Sequence, residues 1–161
     1  MSESVFISPE ITDKAGRYEA LLPQIEALVE GENDWIAAVS NIVAALRDGM
    51  DFFWIGTYRV KGEELILGPF QGPVACLRIG YGKGVCGVAW KENKTMIVPD
   101  VDQFPGHIAC SSLSKSEIVV PVRKDGKVVM VLDVDSTALN SFDDTDAKYL
   151  EMAADLIAKH L

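Results

Sequence analysis

Two runs of β-forming residues, Glu117 to Arg123 and Lys127 to Asp135, are separated by Asp125-Gly126, a pair that favours a tight hairpin turn. This hairpin constrains the fold most, because it sets two long strands side by side and makes them central to a sheet. A second hairpin precedes it: Phe52 to Val60, a Lys61-Gly62 turn, and Glu64 to Phe70 as the return strand. Strands paired by hairpins, not by crossover helices, predict an antiparallel sheet with helices segregated to one face. That is an α+β domain, and a doubly wound parallel sheet is disfavoured.

The remaining segments complete this plan. Tyr18, Leu21, Leu22, Ile25, Leu28 and Val29 fall at helical spacing before Gly31. Pro23, which has no N–H, either restarts that helix or kinks it. Asn33 is a good N-cap for a second helix whose apolar stripe, Trp35, Val39, Ile42, Val43 and Leu46, ends before Gly49. Val74 to Ile79 reads as a third strand carrying Cys76. Gly80, Gly82, Gly84 and Gly87 mark an irregular loop leading to a short helix around Val88 to Glu92, with Cys86 beyond the loop. Thr95 to Val98 is a short strand, and Pro99 to Ser114 is a long loop containing Cys110. Ser141-Phe142-Asp143-Asp144 resembles a capping box and opens a C-terminal helix with Leu150, Ala153, Ala154, Ile157 and Leu161 inward. The expectation is one domain over residues 1–161, a sheet of about six strands with the N- and C-terminal helices on one face.

Composition narrows the partners. Fifteen Lys and Arg against 24 Asp and Glu give 15 − 24 = −9, and the basic residues are scattered singly, so nothing marks a nucleic-acid or anionic-lipid footprint. Purely apolar runs such as Val128 to Leu132 reach only five residues, far short of the roughly 18 residues of a spanning helix. The acidic opening Met1-Ser2-Glu3-Ser4 lacks the features of a secretion signal. Three cysteines are an odd number, which argues against a static disulfide framework and for thiols in a reducing compartment, the cytoplasm.

Several residues invite chemistry. Asp133 and Asp135 are two apart on a strand and share a face. Either the strand runs out into solvent there, or the pair faces a pocket for a cationic group. A two-residue Asp125-Gly126 loop sets Glu117 opposite Val134, on the wrong face; a three-residue Lys124-Asp125-Gly126 loop sets it opposite Asp133. In the second register three like charges crowd together, and one of them, Glu117, is held as a neutral acid able to donate a proton.

Trp54 and Tyr58 share one face of their strand, with a gap at Gly56 where a ligand could insert. The alternative is plain core packing. His107, Cys110, Cys76 and Cys86 lack a C-x-x-C pair, so no metal site is expected, and His107 reads instead as a loop-anchoring hydrogen bond. Cys110, in a polar loop, is the most accessible thiol. Cys76 and Cys86 are either its redox partners or buried small hydrophobes.

Gly68-Pro69-Phe70-Gln71-Gly72, Ala75-Cys76, Gly82-Lys83-Gly84-Val85-Cys86-Gly87, Pro105-Gly106-His107-Ile108-Ala109-Cys110, Ser116-Glu117-Ile118-Val119-Val120-Pro121 and Leu132-Asp133-Val134-Asp135-Ser136 together resemble the free methionine-(R)-sulfoxide reductases, single GAF-domain enzymes. The resemblance covers nearly the whole chain. It implies reduction of the free amino acid, with Cys110 as nucleophile, Glu117 protonating the departing oxygen, and a sulfenic acid left on Cys110. It further implies that Cys76 resolves the sulfenic acid as a disulfide, with Cys86 an alternate resolving thiol or a bystander. Trp54 and Tyr58 form an aromatic wall, and Asp133 and Asp135 hold the substrate ammonium.

No bound cofactor is implied; a thioredoxin-type protein supplies electrons, and a homodimer is common in the family. Ser111, where the family usually has an acid, and Val88, where threonine is common, depart from the pattern. Two other readings are a non-catalytic GAF module that binds a small ligand or senses redox state, and a reductase of methionine sulfoxide within proteins. The absence of a linker disfavours the first and the acidic pocket disfavours the second.

Overall fold

Six strands form one antiparallel sheet in the order β3-β2-β1-β6-β5-β4 in a computed structural model that describes residues 4–161. The strands are β1 (Trp54–Lys61), β2 (Glu64–Gln71), β3 (Arg78–Gly80), β4 (Met96–Val98), β5 (Ser116–Lys124) and β6 (Lys127–Ser136). Residues 1–3, read above as the acidic opening of a chain without a secretion signal, lie outside the described residues. Both hairpins form. The first closes with Lys61 opposite Glu64, so its turn is Gly62-Glu63, one residue later than Lys61-Gly62. Gly62 takes a positive φ there.

Helices α1 (Lys14–Val29), α2 (Trp35–Met50) and α4 (Asp144–Ala158) cover one face of the sheet. The helix α1 runs through Pro23 as one element and does not restart there. Its N-cap is Asp13, whose carboxylate accepts from the Gly16 N–H. The cap of α2 is Asp34, not Asn33: Asp34 accepts from Ala37 N–H at 3.1 Å. The capping box of α4 pairs Asp143 with Asp146, two residues later than Ser141 with Asp144. Asp146 is buried and accepts from Tyr18 Oη and Lys14 Nζ, each at 2.6 Å, which ties α4 to α1. Ile25, Ile42, Leu46, Leu150 and Ile157 pack onto Ile55, Ile118, Leu132 and Val134 of the strands; all nine are fully buried.

The other face is covered differently. The helix α3 (Gly84–Glu92) begins four residues earlier than the sequence pattern suggests and packs Val85, Cys86 and Ala89 against Trp54, Tyr58, Val119 and Val131. Helices therefore lie on both faces, three on one and one on the other. The strand expected over Val74 to Ile79 is reduced to Arg78–Gly80, so Cys76 lies in the loop before β3 and not on a strand. The segment from Pro99 to Ser114 contains a 3₁₀ turn, Val101–Gln103, and otherwise wraps this second face as irregular chain. No helix among the described residues is long and apolar enough to cross a membrane.

Candidate active site

The face of the sheet beneath α3 is where the acids converge. The Asp125-Gly126 turn is a two-residue loop with both residues at positive φ, and Lys124 faces Lys127. Continued unbroken, this register would put Glu117 opposite Val134, as the shorter-loop alternative expected. A bulge intervenes: Arg123 faces Val128 while Val122 faces Met130, so Val129 is the extra residue. The register beyond it advances by one, and Glu117 faces Asp135. The shorter-loop register thus holds only from Lys124 to Arg123, and neither register considered from the sequence gives Glu117 its observed partner, although the three carboxylates do share a face. On β1, Trp54 lies opposite Asp135 and Gly56 opposite Asp133.

Glu117 and Asp133 are 6% and 5% exposed, and Asp135 is half-buried. Cys86, in the first turn of α3, brings its Sγ to the same spot: its sulfur and a carboxylate oxygen each from Glu117 and Asp133 all lie within 4.8 Å of one another. Sequence reasoning grouped Cys86 with the other two thiols, whereas packing groups it with the acids. Such a donor set can take a cation, whether an ammonium or a metal ion.

Burial pushes the Glu117 carboxyl up, and the neighbouring charges of Asp133 and then Asp135 push it further. Asp135 is raised by burial and then by Asp133; Asp133 is raised by burial. The Cys86 thiol is raised by burial and then by Asp133 and Glu117, which disfavours its thiolate. One oxygen of Asp133, Oδ1, is buried without a hydrogen-bond partner among the described residues.

The rim of the cleft carries the other two cysteines. Cys76 and Cys110 are joined in a disulfide with Cα atoms 5.2 Å apart, both half-buried. The bond ties the long loop to the segment before β3. It also dissolves the four-residue metal set weighed from the sequence, since two of its thiols are bonded to each other. Tyr58 Oη donates to the Cys76 carbonyl at 3.0 Å, and Trp54 Nε1 donates to the Pro73 carbonyl at 3.0 Å. The two aromatic rings thus hold the segment that carries Cys76.

They are stacked with centroids 6.2 Å apart, and Phe70, which the sequence reading did not single out, stacks on Trp54 at 5.5 Å. There is no insertion gap at Gly56: a Cβ there would meet the Trp54 ring and Cβ of Phe70. Glycine is required because the Trp54 ring lies across it. His107 also lines the cleft, and its Nδ1 is buried without a partner among the described residues, so no side-chain hydrogen bond through that atom anchors the loop. Together these groups line a cleft of about 550 Å³ that opens to solvent.

Comparison with known proteins bears directly on this arrangement. Residues 32–161 match the family model described as GAF domain. The free methionine-R-sulfoxide reductase of Saccharomyces cerevisiae is 45% identical, over 88% of this chain and 83% of its own. The crystal structure of the free methionine-R-sulfoxide reductase from Neisseria meningitidis in complex with its substrate superposes with a TM-score of 0.95 at 49% identity, over 99% of this chain and 95% of that one. The chain belongs to the GAF-domain free methionine-(R)-sulfoxide reductases. A GAF domain-containing protein A of Dictyostelium discoideum is 58% identical over 98% of this chain and 99% of its own length. Glu117, Asp133, Asp135, Trp54, Tyr58 and Cys110 all line the one cleft, and Cys110 is bonded there to Cys76.

Proposed function

We propose that this chain, acting as one GAF domain over residues 1–161, reduces free L-methionine-(R)-sulfoxide to L-methionine in a reducing cytoplasm. The observation that carries the reading is the juxtaposition of a half-buried Cys76–Cys110 pair with a cleft floor of three crowded carboxylates. A free amino acid has an ammonium to satisfy that floor, and a methionine residue within a peptide has none. Asp133 and Asp135 bind the ammonium, and Trp54 and Tyr58 flank the thioether carbons.

In the reduced enzyme Cys110 thiolate attacks the sulfoxide sulfur, and Glu117, kept neutral by burial and by its neighbours, delivers a proton to the oxygen. The oxygen passes to Cys110, methionine leaves, and Cys110 is left as a sulfenic acid. Cys76 thiol then attacks that sulfur, the S–S bond forms, and water departs. Cys86 does not resolve: it sits among the acids with its thiolate disfavoured, and it stays free while Cys76 and Cys110 are bonded. A thioredoxin-type dithiol reopens the bond, and no bound cofactor is required.

The test is methionine formation from the separate R and S sulfoxides of free methionine and from N-acetylated R sulfoxide, with thioredoxin recycling. Turnover of the free R form alone is the expected result. Turnover of none by folded, reduced protein overturns the reading in favour of a ligand-binding GAF module.

A further inference from the structure

Large apolar side chains exposed on a surface are ordinarily scattered. In this chain they are concentrated. Of nine such residues among those described, four lie within three positions of Cys76 or Cys110: Val74, 87% exposed, Leu77, 71%, Leu113, 58%, and Ile108, 37%. The disulfide draws the two segments together, and Val74 and Ile108 both stand at the cleft beside Cys110.

The two segments that carry these side chains are opposite in charge to the chain as a whole. The chain carries −9, yet residues 72–84 and 103–116, which hold the two bonded cysteines, contain no Asp or Glu. They do contain Arg78, Lys83 and Lys115, all exposed. Arg78 is paired with Glu64 at 3.4 Å, while Lys83 and Lys115 make no ion pair among the described residues. Lys83 stands next to the apolar rim, because a Cβ on its neighbour Gly84 would lie 3.1 Å from the Ile108 side chain.

We propose that this apolar, cation-fringed surface around the Cys76–Cys110 disulfide is the docking face for a protein dithiol whose own reactive thiol sits in an apolar surface rimmed by acidic side chains. The proposal rests on the reading of the disulfide as the oxidised product of turnover. One thiolate of the partner attacks a sulfur of the Cys76–Cys110 bond; that bond breaks, a mixed disulfide forms, and the released cysteine takes a proton from solvent. The partner's second thiol then attacks the mixed disulfide. It leaves as an oxidised disulfide, having delivered two electrons, and both cysteines of this chain are reduced. The attack needs the two sulfur atoms in contact, so whatever surrounds the disulfide is buried in that encounter. Apolar side chains supply the contact area, and the lysines steer an acidic face.

The experiment compares two reductants on the full chain with free methionine-(R)-sulfoxide: dithiothreitol, too small to need a docking face, and thioredoxin. Leu77→Glu and Leu113→Glu are the variants, since neither side chain lines the cleft. The expected result is a KM for thioredoxin raised about tenfold or more with dithiothreitol-supported turnover unchanged. Lys83→Glu and Lys115→Glu should raise it by smaller factors and flatten its dependence on salt.

An unchanged KM for thioredoxin overturns the proposal, and so does a parallel fall with both reductants, which would place these residues in the chain's own machinery. A wild-type dimer that Leu77→Glu or Leu113→Glu converts to monomer also overturns it, because the face would then belong to a second copy. Absence of wild-type turnover with dithiothreitol is a separate result and removes the underlying reading of the function.

Discussion

The two faces of strand β6 are built from alternate residues of one segment and do opposite things. Met130, Leu132 and Val134 enter an apolar layer under three helices. Val131, Asp133 and Asp135 face the other way, where Asp133 and Asp135 meet Glu117 and none of the cleft-lining residues is a lysine or arginine. Both faces are covered, so burial alone does not distinguish them. The first face stabilises the fold by removing apolar surface from water, about 1.5–3 kcal/mol for each large side chain. The second buries carboxylates that lack a permanent counter-charge, which costs stability and which protonation or a bound cation relieves. Under the function proposed above, a site for a charged substrate is kept in this way at the expense of the stability gained on the opposite side of the same strands.

Substitutions on the two faces should therefore separate activity from stability. The largest effect is expected at the rim: Cys110→Ser abolishes turnover, while Cys76→Ser still forms about one methionine per chain and then stops, measured by quantifying product against enzyme. A Cys110→Ser enzyme with undiminished turnover would sink the assignment. On the apolar face, Leu132→Ala should lower unfolding free energy by about 2–5 kcal/mol in urea titrations. Retention of full stability would mean that this face is not the structural one.

On the acidic face, Asp135→Asn should raise KM for the free sulfoxide by about tenfold to a hundredfold, the loss of one charge-assisted contact of about 1.5–3 kcal/mol. A lowered kcat with unchanged KM would instead assign Asp135 to the chemical step.

The smallest effect is in the pH dependence of stability. Glu117, Asp133 and Asp135 have carboxyls raised above their ordinary values, so between the ordinary carboxylate range and those raised values the folded chain binds more protons than the unfolded one. Their stabilising contribution is complete below that interval and is lost as pH rises through it. Glu117→Gln removes one such group. Wild type should thus lose stability relative to the variant as pH rises, and parallel urea-unfolding profiles would show that Glu117 is not where the proton resides.

Much of this was legible in the residues, and the misses share a cause. The β-forming runs on either side of Asp125-Gly126 identified a hairpin, the spacing of Asp133 and Asp135 put both on one face, and the helical stripe from Val39 to Leu46 is buried as its spacing implies. Errors at the caps of α2 and α4 were small, one residue at Asp34 and two at Asp143, because neighbouring polar residues compete for the same cap, whereas the start of α3 was missed by four residues. The strand expected to carry Cys76 failed because β3 pairs with β2 only from Arg78 to Gly80. The gap expected at Gly56 was filled by the Trp54 ring folding over it, an event that spacing along one strand cannot report. The buried Nδ1 of His107 gave no local sign at all.

Sequence periodicity, turn pairs and motif residues were enough to determine the α+β class, the antiparallel hairpins, and membership in the reductase family, because each of these is written in short-range spacing or in residue identity. Three things were decided only by tertiary structure. The bulge at Val129 set Glu117 against Asp135, the packing of α3 delivered the Cys86 thiol to the acids, and the wrap of the long loop brought Cys110 to Cys76. Each depends on contacts between segments distant along the chain, and a one-residue change in register or a shift of one helix turn would have altered it without changing any local pattern.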